Sequence, residues 1–278
     1  MIQPHFPEPP GEHAALIATG RLDGVEMIRQ QPMNHEYYYR YLNCGYRLPL
    51  VGGTDKMTSD VPVGLYRTYV HIPEDEGFNY ENWCRNVVRG RTFLSGGPIL
   101  HFRVEGHEIG DTVRLLGPGT VEVEARAESV LPMHRLELIQ EGRVVAVAES
   151  HEATRRLELK ERIKIDHHTW LAARCGGPDY FGPTQHYDVW RRGVFAHSSP
   201  IYVACGGDWW MFDRGTAQYM LTLVEGDLAY IRENSRQYAP GAVTHCHGEE
   251  DHMAYLERPF PEAQAAIQER IRRLVAES

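Results

Sequence analysis

Cysteine, excess basic charge and long apolar runs are all scarce in this sequence, and each shortage closes off a class of protein. The five cysteines, Cys44, Cys84, Cys175, Cys205 and Cys246, are odd in number, widely spaced and without a CxxC pair. That pattern excludes a disulfide framework and a zinc knuckle, and it predicts a reducing, cytoplasmic setting. Lys and Arg number 29 against 38 Asp and Glu, for a net charge of −9, and the basic residues are scattered. The basic stripe of a nucleic-acid-binding surface is missing, so no nucleic acid partner is expected. No run approaches the roughly 20 apolar residues of a membrane span. The opening MIQPHFPEPPGE has neither a charged n-region nor an apolar h-region, so no membrane partner is expected either.

What the chain has in unusual amount is histidine, 15 of its 278 residues. Neutral imidazole is the commonest nitrogen ligand of zinc, iron and manganese and the usual proton shuttle near neutral pH. With 42% hydrophobic residues, the chain can bury one large core or two modest ones.

Three regions differ in pattern. In residues 1–90, short apolar segments alternate with helical ones. Residues 23–28 predict a strand, and 35–45 a helix with Asn34 as N-cap and Gly45 as its stop. Strands follow at 47–51 and 64–72, and Asn79 caps a helix running to Arg89. That alternation is the grammar of an α/β layer or barrel. In residues 91–205, period-2 alternation at 121–127, 135–139, 144–148 and 155–165, with turns at Gly117-Pro118-Gly119 and Glu141-Gly142, predicts an antiparallel β-sandwich. Residues 206–278 return to helix. Asp213 caps one that runs to about Ile231, and Pro261 opens a final one, with loop between them over 234–252.

Candidate chemistry lies at three places. Prolines around His5 (Pro4, Pro7) hold the backbone extended and would present one imidazole rigidly to a metal; the same pattern also describes a plain loop. In Gly52-Gly53-Thr54-Asp55, an acidic residue follows an apolar strand after two glycines that let the backbone turn sharply. This is how α/β enzymes place a carboxylate at the carboxyl edge of a sheet, although a surface turn has the same composition. His245 and His247, with Asp251 and His252 after them, have metal-binding spacing or form a polar loop. Arg67, Arg91 and Thr92 stand at strand or loop ends, where an arginine can clamp an oxyanion or pair on the surface.

An ordered set of stretches resembles the CehA/McbA-type branch of the PHP metallohydrolases. They are His5-Phe6-Pro7, residues 38–49 (YYRYLNCGYRLP), Gly53-Thr54-Asp55-Lys56-Met57, residues 63–70 (VGLYRTYV), residues 90–98 (GRTFLSGGP) and residues 195–203 (FAHSSPIYV). The resemblance implies α/β plus all-β architecture. Residues 1–90 would be the C-terminal part of a PHP-like β/α barrel, 91–205 a β-sandwich and 206–278 a helical extension. It implies a divalent metal, zinc, manganese or iron, that activates water to hydrolyse a phosphoester, amide or carbamate-type bond in a small-molecule substrate. His5 and Asp55 would be metal ligands, and Arg67 and His197 substrate or supporting groups. Two departures stand out. Met57 replaces the histidine that often follows the fourth-motif aspartate, and the family's first His-x-His motifs would lie before His5. The missing motifs predict a fragment of a longer enzyme, inactive alone, or completion by a homo-oligomer or a partner chain. The competing class is a non-catalytic binding protein that works through its β-sandwich.

Overall fold

The computed structural model describes residues 5–6, 12–27, 32–54, 56, 59, 61–177, 193–235, 248–249 and 251–277, with residues 5–6, 32–34 and 274–277 described by backbone alone. The chain divides into two compact units, Met1–Pro7 with Asp23–Met211, and Glu8–Leu22 with Phe212–Ser278.

Strand β1 (His5–Phe6) precedes helix α1 (His13–Ala18), which belongs to the second unit, and strand β2 (Val25–Met27). Helix α2 (Pro32–Asn43) then leads to strand β3 (Leu50–Val51). The three strands form a parallel sheet in the order β1-β2-β3, and α2 supplies the crossover that parallel neighbours require. Asn34 lies inside α2 and does not cap it, because the helix begins at Pro32; a proline tolerates the first turn, where its missing N–H has no partner to lose. Tyr38, Tyr41 and Leu42 are fully buried at helical spacing, and the Tyr38 hydroxyl donates to Leu48 O at 2.8 Å.

Strand β4 (Arg67–Val70) opens the larger sheet. Helix α3 (Tyr80–Val88) is capped as expected, Asn79 accepting from Asn82 N at 2.8 Å. The remaining strands are β5 (Thr92–Ser95), β6 (Ile99–Val104), β7 (Thr112–Leu115), β8 (Gly119–Gln140), β9 (Arg143–Ile165), β10 (Thr169–Gly176), β11 (Phe195–Ser198) and β12 (Ile201–Cys205). Strands β4 to β12 form one nine-stranded sheet, antiparallel except where β12 runs parallel to β7. The sequence suggests several short strands, whereas 121–127 and 135–139 belong to one strand of 22 residues, and 144–148 and 155–165 to one of 23. Glu141 and Gly142, both at positive φ (51° and 86°), join them as a two-residue hairpin turn of the type whose twist matches its strands.

What bends β8 is its middle. Register shifts lie between Glu128 and Met133 and between Met133 and Arg135, around Pro132, which cannot donate to a ladder and is tolerated in a strand only at such irregularities. The first half of β8 therefore pairs with β6 and the second half with β10, which curls the sheet. Phe102, Val121, Val123, Leu136, Leu138 and Leu171 fill the apolar core. Each such side chain contributes about 1.5–3 kcal/mol of transfer free energy.

β11 and β12 are one line interrupted at Ser199-Pro200, and both lie along the same edge of β10. The interruption carries a polar clamp. Ser199 Oγ accepts from Leu50 N at 2.8 Å, Thr92 Oγ1 donates to Leu50 O at 2.7 Å, and the two hydroxyls are 2.7 Å apart. The entry of β3 is thus fastened to the larger sheet by side chains that satisfy both backbone groups of Leu50. Below it, Gly110 (φ +89°) passes the end of α3 so closely that an added Cβ would lie 2.5 Å from Arg89 O. Gly110→Ala combines a left-handed backbone with a clash against main chain, and a loss of about 2–3 kcal/mol in urea unfolding is expected.

In the second unit, helix α4 (Arg214–Asn234) is capped by Asp213 as predicted, accepting from Thr216 N at 2.6 Å. Helix α5 (His252–Glu257) and helix α6 (Pro259–Glu277) follow. Helix α6 starts two residues before Pro261, which falls in the first turn, where a missing N–H is harmless. Ala217, Met220, Leu221, Val224 and Leu228 of α4 and Phe260, Ala263 and Ile267 of α6 are buried at helical spacing. No helix among the described residues is long and apolar enough to cross a membrane.

Candidate functional site

The parallel register aligns three positions across the small sheet. His5 is opposite Glu26, and Glu26 is opposite Val51. All three strands point the same way, so the chain leaving each one emerges at a shared carboxyl edge, the edge where α/β folds place ligands. Residues 28–31 alone separate β2 from α2, which puts the first turn of α2, with His35, near the same edge.

Glu26 was not among the residues the sequence singled out, although the signal was present: one charged residue inside a three-residue strand that is buried throughout. It is 8% exposed. Of the two glycines after β3, Gly53 passes close to it. Neither Gly52 nor Gly53 has a positive φ, so the expectation of a sharp glycine turn is corrected: these positions lack room, not rotational freedom. A Cβ on Gly53 would lie 2.5 Å from Glu26 Oε1, and one on Gly52 would lie 2.9 Å from Leu94 Cβ. The exit of β3 is pinned by Thr68 Oγ1, which accepts from Gly52 N at 2.9 Å and donates to Gly52 O at 2.8 Å. Thr54 Oγ1 donates to Tyr66 O at 3.1 Å.

Of the predicted site residues, His5 occupies the row just described and is known by backbone alone, and Asp55 lies outside the described residues, as do Met57, His245, Cys246 and His247. Arg67 is exposed at the start of β4, opposite Ser95, with its guanidinium 5.7 Å over the Tyr69 ring. Asp251 caps α5, accepting from Ala254 N at 2.9 Å.

His197 has no exposed surface. Its Nδ1 lies 2.7 Å from Ser198 O and its Nε2 2.7 Å from the Tyr39 hydroxyl. A carbonyl can only accept, so Nδ1 carries the proton and Tyr39 donates to Nε2. The Arg174 guanidinium donates through Nη1 to the Tyr39 hydroxyl at 3.3 Å and to His35 Nδ1 at 3.0 Å, which leaves the His35 proton on Nε2. Glu137, 4% exposed, accepts from Arg174 Nε at 2.6 Å. Burial pushes the Tyr39 phenol up to about 12, and burial, reinforced by the Arg174 charge, pushes His197 down to about 3. His197 therefore sits, with no exposed surface, in a buried hydrogen-bonded chain that runs through Tyr39 and Arg174 to Glu137.

Among the described residues, no group of three or more His, Cys, Asp or Glu side chains is arranged to hold a metal ion. By kind, the donors on or leading to the carboxyl edge, an imidazole and two carboxylates, suit zinc, manganese or iron. The carboxylate of Glu26 also lies close against the backbone at Gly53. No protein-family model matches the chain, and no curated protein sequence matches it significantly.

Proposed function

We propose that the chain is a metal-dependent hydrolase of PHP type, with His5, Glu26 and Asp55 as ligands at the carboxyl edge of the β1-β2-β3 sheet. The observation that carries this reading is the register that brings His5 and the buried Glu26 into one row and leads the chain on toward Asp55. In this reading the three parallel strands and α2 belong to a β/α barrel, and the two halves of the bent β8–β9 hairpin contribute to opposing layers of a sandwich. The chemistry such an ion supplies is activation of water and polarisation of a phosphoester, amide or carbamate-type bond. Glu26 is held by the close pass of Gly53, and Arg67, exposed on a neighbouring strand, supplies a positive charge for a substrate oxygen. The Glu137–Arg174–His35–Tyr39–His197 chain fixes the tautomers and ring positions behind the first turn of α2.

Metal content of the purified protein tests the proposal. Stoichiometric zinc, manganese or iron is expected in the parent, with a fall of roughly tenfold or more in His5→Ala, Glu26→Gln and Asp55→Ala and none in Arg67→Ala. A parent protein free of metal would overturn it and favour a non-catalytic binding protein working through the antiparallel sheet.

A further inference from the structure

At the amino-terminal end of β3, opposite the edge discussed above, lies a cavity of about 400 Å³ lined by Arg47, Arg89 and Arg91 with a single carboxylate, Asp111. The volume is that of a small-molecule pocket. Three guanidinium groups around one hollow are a local concentration of positive charge in a chain whose net charge is −9.

The three arginines differ in how far they are already satisfied. Arg89 holds Glu76 at 2.7 Å. Arg91 reaches Glu76 only at 3.7 Å and Asp111 at 3.6 Å, and donates to Asn86 Oδ1 at 3.2 Å. Those ion-pair distances are well beyond the roughly 2.7–2.9 Å of a charge-assisted hydrogen bond. Arg47 makes no ion pair among the described residues. It is instead positioned by aromatic rings, its guanidinium lying 4.3 Å over Tyr202 and 4.9 Å over Trp209, while Nη1 donates to Thr112 Oγ1 at 3.0 Å. Those rings are themselves fixed, since they meet edge to face at 4.8 Å and Trp209 Nε1 donates to Thr169 O at 2.9 Å.

Arg47 is therefore an exposed cation, rigidly aimed by the rings beneath it, with most of its N–H donors unused by the protein. Desolvation against the rings pulls its pKa down, opposed by Tyr202 and reinforced by the charge of Arg114. A planar guanidinium stacked on an aromatic ring is the arrangement that grips two oxygens of a phosphate or carboxylate at once. Val88, Pro200 and Tyr202 give the same cavity an apolar wall.

We propose that this cavity binds a small organic oxyanion, with a phosphate or carboxylate head held by Arg47 and Arg91 and a compact apolar or aromatic body resting on the Pro200–Tyr202 wall. The cavity shares no residue with the metal reading, so either can fail without the other.

Titration calorimetry with phenyl phosphate, benzoate and inorganic phosphate, at constant chloride and ionic strength, tests it. Saturable binding of phenyl phosphate or benzoate is expected, about fivefold or more tighter than inorganic phosphate and weakened roughly tenfold or more by Arg47→Gln. Binding of phenyl phosphate alone assigns a phosphate head, and of benzoate alone a carboxylate head. If Arg47→Gln does not fold, Arg91→Lys replaces it, because a lysine keeps the charge but loses the planar fork, and a similar weakening is expected. No saturation by either aromatic anion, or equal affinity in the parent and a folded variant, overturns the proposal.

Discussion

Glu137→Leu is expected to cost about 3–5 kcal/mol in urea unfolding, the usual penalty for removing one partner of a buried ion pair. Glu137 stands directly opposite Arg174 across β8 and β10 and is bonded to it at 2.6 Å, with Arg135 at 3.1 Å on its other oxygen. Taking the carboxylate away leaves the Arg174 guanidinium, whose side chain is only 12% exposed, without its closest counter-charge. The double variant Glu137→Leu/Arg174→Leu removes both charges, and most of the loss should return. It should not return entirely, because His35 Nδ1 and the Tyr39 hydroxyl lose the donor that Arg174 provides, at about 1–3 kcal/mol for a buried acceptor left unmade. A double variant no more stable than Glu137→Leu would show that the charge itself is not what the carboxylate compensates.

Acid sensitivity is the second large effect, and it comes from the same network. Burial and the Arg174 charge push His197 down to about 3, and burial, His197 and Arg174 push His35 well below its ordinary value. In the unfolded chain an imidazole takes up its proton near pH 6.5. Below that pH the unfolded state binds more protons than the folded one, so stability is complete above it and falls on acidification. For His197 the window runs from about pH 6.5 down to about 3, and by pH 5 the loss is roughly 2 kcal/mol. His35 adds in the same direction. Tm measured from pH 8 to pH 5 should fall more steeply in the parent than in His197→Gln, which has no imidazole to protonate when unfolded. Parallel profiles would mean that His197 accepts its proton in the folded protein.

Local signals in the sequence are legible where one or two residues suffice. Asn79 and Asp213 cap the helices they were expected to cap, because a short polar side chain before a helical run has few other ways to satisfy free N–H groups. Glu141-Gly142 closes the hairpin between β8 and β9, since positive φ at both positions is a property of the turn alone. At the candidate site less is legible. The prolines around His5 mark it in the sequence, and the structure sets it in register beside Glu26, which sits 21 positions away in the chain and carries only the faint signal of a charge in an apolar strand. For His197 the sequence leaves a substrate contact and a supporting part open, and the structure buries it beside Tyr39 and Arg174.

From composition and pattern alone came the mixed α/β character, the wealth of antiparallel strand in the middle of the chain and the helices at its end, because hydrophobic period and capping are properties of a few adjacent residues. Long-range pairing supplied what those signals leave open: that Pro132 bends one strand instead of separating two, that Ser199 and Thr92 fasten Leu50, and that Glu137 meets Arg174. These depend on which distant segments come to lie side by side, and burial makes such choices costly to change, since a carboxylate or hydroxyl removed from water is stable only where its partner already stands.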